Sequence, residues 1–217
     1  MLFNSILLLN KTYFGCYMVM KIPNLYFHFI TCFFILYTAN TMAQTGTYRL
    51  NTPSGAWCNI AITQNKQIIT GEVFAWWNDA GDRVGSFEGN GKVQGNKCVL
   101  INTDHADCKI QLNFNKTNLH AIFNDCMSTN LPEDFSGRYR KINNHIPGTY
   151  TVAVNKAHFY KTAKLGLSLK AYLLKGDKVN IDLENIADAN RVFINYKNAL
   201  GKISSGYISW ADLKPYR

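Results

Sequence analysis

The sequence predicts an all-β protein whose N-terminal half is an antiparallel β barrel or sandwich. Three observations carry that prediction. Turn residues recur every 8–12 positions from residue 47 to 141, the segments between them alternate apolar with polar residues, and no stretch holds a helical period. Alternation at period two buries one face of a strand and wets the other, and regular turns fold such strands into a meander.

The elements follow in order. The segment 57–63 (WCNIAIT) alternates, and QNKQ turns after it. A longer apolar strand covers 68–77 (IITGEVFAWW), in which Gly71 predicts a bulge. NDAGD turns again before RVGSFEG and GNG, and 97–103 (KCVLINT) and 108–114 (CKIQLNF) flank DHAD as a hairpin. The segments 119–125 (LHAIFND) and 135–142 (FSGRYRKI) close the set. Then 143–150 (NNHIPGTY) brings two Asn, a Pro and a Gly together, which predicts a linker at 144–149 between a domain at 44–143 and another at 150–217.

Residues 1–43 read as an upstream extension and signal peptide. Lys21 precedes an apolar run from about Leu25 to Tyr37, and Thr41-Met42-Ala43 supplies small residues for cleavage before Gln44. Translation is expected to begin at Met18 or Met20. The run is shorter than the roughly 20 residues of a membrane span, so no stable span is expected. Export to a periplasmic or secreted location changes the reading of cysteine. Cys16 and Cys32 leave with the leader, and Cys58, Cys98, Cys108 and Cys126 remain. Four thiols in an oxidising compartment predict two disulfides with three possible pairings. A hairpin turning at Asn102–Asp104 would set Cys98 opposite Cys108 and leave Cys58 to join Cys126. Zinc fits poorly, because its sites use close ligand pairs such as C-x2-C.

Charge is uneven. Residues 44–144 hold 10 basic and 9 acidic side chains, whereas 145–217 hold 11 and 5. A basic C-terminal half favours an anionic partner. Nucleic acid is not expected, since there is no Arg cluster or RNA-reading motif.

Residues 150–213 resemble a bacterial SH3-like domain. The stretches that carry the resemblance are YTVAVNKAHFYKTA, then KAYLLKGDKVNI, then RVFINYKNALGKISSGYISWADL. They parallel a strand pair of the form x-L-x-K-G-D-x-V-x-V and a closing G-x-x-x-G-W-V-x-x-x-x-L. The resemblance implies a small five-stranded barrel with Gly176 at its first hairpin turn, Gly206 ahead of the last aromatic strand and Leu213 at the base. Tyr207 stands where the pattern has Trp, and the early loop lacks the common Asn-x-Arg. The N-terminal domain is similar to periplasmic lysozyme inhibitors only in its small-barrel look and paired cysteines.

No catalytic set is evident. His105, His120, His145 and His158 are isolated, no G-x-S-x-G frames a serine, and Glu72, Glu88, Glu133 and Glu184 show no pairing in sequence suited to glycoside hydrolysis. Neither a metal nor another cofactor is expected. Aromatics are the better clue. Trp76 and Trp77 occupy adjacent strand positions, so one ring faces in and the other out. An aromatic-lined groove built on Tyr160, Tyr196, Tyr207 and Trp210 would take an extended peptide, with Lys170, Lys175 and Lys178 adding positive charge. The expected protein is therefore a non-catalytic envelope binding protein whose SH3-like module recognises a cell-wall peptide or a protein segment. The rival expectation is an inhibitor that blocks a lytic enzyme through its N-terminal domain.

Overall fold

Eight strands follow Gln44: β1 (Gly46–Asn51), β2 (Trp57–Asn65), β3 (Ile68–Trp76), β4 (Val84–Lys92), β5 (Lys97–Ile101), β6 (Lys109–Phe114), β7 (Asn118–Asn124) and β8 (Gly137–Asn143). Each pairs antiparallel with the next, and β8 returns to pair with β1, closing a barrel. This computed structural model describes residues 44–115, 117–164 and 166–216. The expected leader and its cleavage site lie outside the described residues, apart from Gln44 itself. Among the described residues no helix is long and apolar enough to cross a membrane.

Alternation sends Ile60, Ile62, Leu100, Ile110, Leu112 and Phe123 into the barrel, all essentially inaccessible to water. Gly71 is not a bulge. It keeps register with both neighbours, opposite Ile62 and Gly89, and a Cβ there would run into the Leu100 side chain. Gly71 gives Leu100 the volume it fills. Gly85 on β4 does the same for Asn130 and Leu131 in the β7–β8 connection. That connection makes two single-turn 3-10 helices, Met127–Thr129 and Glu133–Phe135, and buries Leu131 and Phe135 in the barrel core. Tyr139 donates its hydroxyl to the Phe135 carbonyl at 2.7 Å, holding the segment down.

The cysteine pairing differs from expectation. Cys108 is bonded to Cys126, while Cys58 and Cys98 are free, buried thiols. Register explains the change. Ile101 faces Lys109 and Cys98 faces Leu112, so the β5–β6 turn runs over 102–108 and leaves Cys108 at its base, beyond the strand. There it meets Cys126, which follows β7. Burial pushes the Cys58 thiol up to about 12 and the Cys98 thiol up to about 11, so both stay protonated and unreactive.

Seven further strands follow: β9 (Gly148–Val152), β10 (Lys156–Tyr160), β11 (Ser168–Leu174), β12 (Lys178–Ile181), β13 (Arg191–Lys197), β14 (Ile203–Ser209) and β15 (Leu213–Pro215). They form a four-stranded sheet in the order β11-β10-β14-β13 and a three-stranded sheet in the order β12-β9-β15. Lys175-Gly176-Asp177 is therefore not a hairpin turn, because β11 and β12 belong to different sheets. Gly176, at φ +94, lets the chain change sheet there, and its N–H reaches the Val152 carbonyl at 3.0 Å. Gly201, by contrast, does turn a hairpin, β13 to β14. Gly206 brings β14 close to β10, since a Cβ would lie 3.1 Å from the Tyr160 carbonyl oxygen.

The barrel and these sheets share a seam. β2 is buried on both faces: Cys58, Ile60 and Ile62 point into the barrel, while Ala61 joins the core of the C-terminal strands. Asn59, fully buried, donates from Nδ2 to the carbonyls of Leu183 (3.0 Å) and Ile186 (3.1 Å), and its Oδ1 accepts from Arg49 at 2.7 Å. Arg140 pairs with Asp188 at 2.9 Å on the exposed rim.

Candidate binding surfaces

The four-stranded sheet has an inner and an outer face, set by alternation. Ala157, Phe159, Val192, Ile194 and Ile208 point inward and are buried. Tyr160, Phe193 and Tyr207 point outward and remain part-exposed. Register puts them in a row across three strands, because Tyr207 sits opposite Tyr160 on one side and Phe193 on the other. Phe193 and Tyr207 meet edge to face at 5.3 Å. Arg191 stacks its guanidinium 3.5 Å over the Tyr160 ring and donates to the Thr162 carbonyl. Farther along the face, His158 lies 5.6 Å from Tyr172, with the Lys156 ammonium 4.7 Å over that tyrosine. The four strands carry Lys156, Lys170, Arg191 and Lys197 but no Asp or Glu. Rings already paired with cations are held in place before any ligand arrives, which lowers the entropy lost on binding.

Of the expected groove residues, Tyr160 and Tyr207 stand together on this face, with Lys170 on the same sheet. Trp210 does not join them. It is 6% exposed, stacked flat on His145 at 4.0 Å and set edge-on to Tyr150 at 5.5 Å. It follows β14 in a 3-10 turn that aims the indole inward, so it is a core side chain. The same burial holds His145 below the ordinary histidine range. Tyr196 lies on the inner side of β13, packed against the core, and its hydroxyl bonds Asp177, which raises its pKa after desolvation. Lys178 belongs to the three-stranded sheet, 3.8 Å over Tyr216. Lys175 is exposed in the turn after β11.

The paired tryptophans on the barrel divide as alternation requires. Trp77 packs edge-on to Phe135 at 5.3 Å, and its Nε1 donates to the Asn130 carbonyl at 3.1 Å. Trp76 points outward and faces Trp57 across the β2–β3 pair. With Phe74, which lies 5.5 Å from Trp57, they form an aromatic shelf beside the Leu183–Asn185 turn. An adjoining cleft of about 490 Å³ is lined by Glu72, Glu88, Asp182, Glu184 and His105. Glu72 and Glu88 are direct cross-strand partners. Burial, then Glu88, then Asp182 raise the Glu72 carboxyl above the usual carboxylate range. Among the described residues no three His, Cys, Asp or Glu side chains gather as a metal site.

Reading the sequence left out Arg191, Lys156 and His158 as members of the outer face, and Trp57 and Phe74 as partners of Trp76. The signal was present for the first three, since each lies an even number of residues from an outward aromatic on its own strand. Which strands neighbour each other was not legible. Comparison of the chain with protein-family models, with curated proteins and with solved structures finds no match in any of the three.

Proposed function

We propose that this chain is a non-catalytic binding protein of the bacterial envelope, exported to the periplasm or secreted, whose C-terminal strands act as an SH3-like module for a cell-wall peptide or a protein segment. One observation carries the reading: the outward row Tyr160–Tyr207–Phe193, braced by Arg191. Aromatic rings left on a sheet surface offer rigid contact area, and binding energy concentrates on such side chains. The SH3-like assignment draws support from the chain order. A 3-10 turn at Trp210–Asp212 leads from β14 into β15, which pairs back onto β9. The Cys108–Cys126 bond fits an oxidising compartment.

The test is retention of the purified chain on isolated peptidoglycan. Tyr207→Ala weakens retention even at high salt, because its contact is desolvated. Lys175→Ala matters mainly at low salt, since its attraction is screened over a Debye length of about 8 Å at physiological ionic strength. Retention unchanged by Tyr207→Ala in a variant that melts like the parent removes the reading. The inhibitor reading has its own supporting observation, the acid-flanked aromatic shelf Trp57–Phe74–Trp76, which suits a basic enzyme surface. Inhibition of lysozyme that is lost in Trp76→Ala would favour it.

A further inference from the structure

Three sheet edges among the described strands are blunted. β12 is four residues long, β15 is three and ends on Pro215, and β13 runs beside β12 of the other sheet. Short strands, proline and a covering neighbour are the usual ways a protein keeps an edge from pairing. β11 has none of these three, although Lys170 sits on it and its register with β10 shifts between His158 and Tyr160. It runs for seven residues, pairs with β10 on one side and, among the described residues, has no strand on the other. An edge strand presents N–H and C=O groups for pairing, and on β11 the run stops at Leu174, whose N–H and carbonyl both bond Asp177. Apolar surface gathers there as well: Tyr172 is 43% exposed, Leu174 54%, and Leu167, just before the strand, 91%.

We propose that the open edge of β11 takes an extended, carboxylate-bearing peptide as an added strand of the four-stranded sheet. This rests on the reading of the C-terminal strands as the binding module, and it adds the partner's charge and backbone geometry. Charge selects the occupant. Lys170 stands at the middle of β11, Lys175 follows it, and Lys156 faces Leu174 from β10. The nearby carboxylate of Asp177 is engaged, accepting the Leu174 N–H at 2.8 Å and the Tyr196 hydroxyl. A second copy of this chain pairing edge to edge would bring these lysines against their own kind, so a like-charged partner is disfavoured. Strand addition draws affinity from main-chain hydrogen bonds and selectivity from alternate side chains. Alternate residues of the guest strand fall beside Lys170 and Tyr172, which suits carboxylates spaced two apart.

A fluorescein-labelled octapeptide alternating Glu and Val, titrated against the purified chain by anisotropy, tests this. It binds at least about tenfold tighter than its Lys/Val counterpart, given the opposed charges. Two further copies carry N-methyl groups on either the odd or the even backbone amides. Only the copy methylated on the amides that face β11 loses about tenfold or more, the loss of a few backbone hydrogen bonds. Lys170→Glu, in a variant that melts like the parent, reverses the preference between the Glu and Lys peptides. Equal binding of both peptides, or indifference to both methylated sets, overturns the proposal. So does a concentration-dependent dimer that excludes the peptide. Peptidoglycan retention that needs Tyr207 but comes without octapeptide binding rejects the edge and leaves the module. Loss of both retention and peptide binding rejects both.

Discussion

The barrel and the C-terminal strands are built from the same material, short alternating β segments, yet they dispose of their edges differently. In the barrel every strand is paired on both sides, and the ring closes through β8 and β1. Its inner face becomes core, its covalent tie is local, and its net charge is close to balance. Among the described residues the fifteen strands leave open edges only in the second region, where seven are split into two sheets. That region also carries most of the net positive charge and presents a row of aromatics, Tyr160, Tyr207 and Phe193, on its outer face. Closure removes the groups that recognise other chains, whereas an open sheet keeps them. The molecule thus sets a finished scaffold beside a surface with pairing capacity left.

The sharpest test of that contrast compares two aromatics only three residues apart. Trp210→Ala empties a core position and costs about 3–5 kcal/mol of unfolding free energy. Tyr207→Ala, on the outer face, costs under about 1 kcal/mol. Denaturant titration of both variants measures the gap, and equal losses would mean that the outer row is core after all.

Next in size is the barrel's tie. Cys108→Ser releases an 18-residue span between Cys108 and Cys126, and the chain-entropy account puts the loss at about 3 kcal/mol. Thiol titration gives the companion readout. Cys58 and Cys98 stay silent in the native protein and react after unfolding, and rapid native reaction of either would contradict their burial.

Asn59 probes whether the two regions melt together. Asn59→Ala leaves the Leu183 and Ile186 carbonyls without their buried donor and costs about 1–3 kcal/mol. It also pulls apart the transitions of the barrel and the C-terminal strands, followed by calorimetry. An unchanged profile would show the seam to be incidental.

The smallest effect belongs to the Glu72–Glu88 pair. A carboxyl whose folded pKa is raised binds protons more readily in the native state. Its contribution is therefore fullest below the ordinary carboxylate range and is lost as pH rises through the raised value. Glu72→Gln accordingly stabilises by a few tenths of a kcal/mol at pH 7, the scale of a like-charge cross-strand pair. At pH 3 the gain vanishes. A gain that persists there would assign it to packing.

Much of this was legible in the residues. The strand segments from Trp57 to Ile142 fall within a few positions of β2 to β8, because turn chemistry and period-two alternation are local properties. The all-β class and the opposed placement of Trp76 and Trp77 follow from the same pattern. β1 went unmarked, since Gly46–Asn51 is short and its alternation weak. The cysteine pairing was misjudged because it turns on the length of one loop. A hairpin that turns over 102–108 instead of 102–104 moves Cys108 out of the strand and into reach of Cys126. Trp210 was grouped with Tyr207 as an aromatic, yet its odd spacing from that residue puts it on the Ile208 side of the strand, where it is buried.

By itself, then, the sequence determined where strands lie, which of their faces are apolar, and how charge divides between the two halves. Each of these is decided within a few residues of chain, by backbone sterics and hydrophobic period. Tertiary structure alone decided which strand lies beside which. It made Lys175-Gly176-Asp177 a crossing between sheets, buried β2 on both sides, and left β11 at a sheet edge, with β10 alone beside it among the described residues. Those outcomes depend on how distant segments share volume and hydrogen bonds, as Leu100 does with Gly71 and Asn59 with the carbonyls at 183 and 186. No local window of sequence contains both partners, so only the folded chain could settle them.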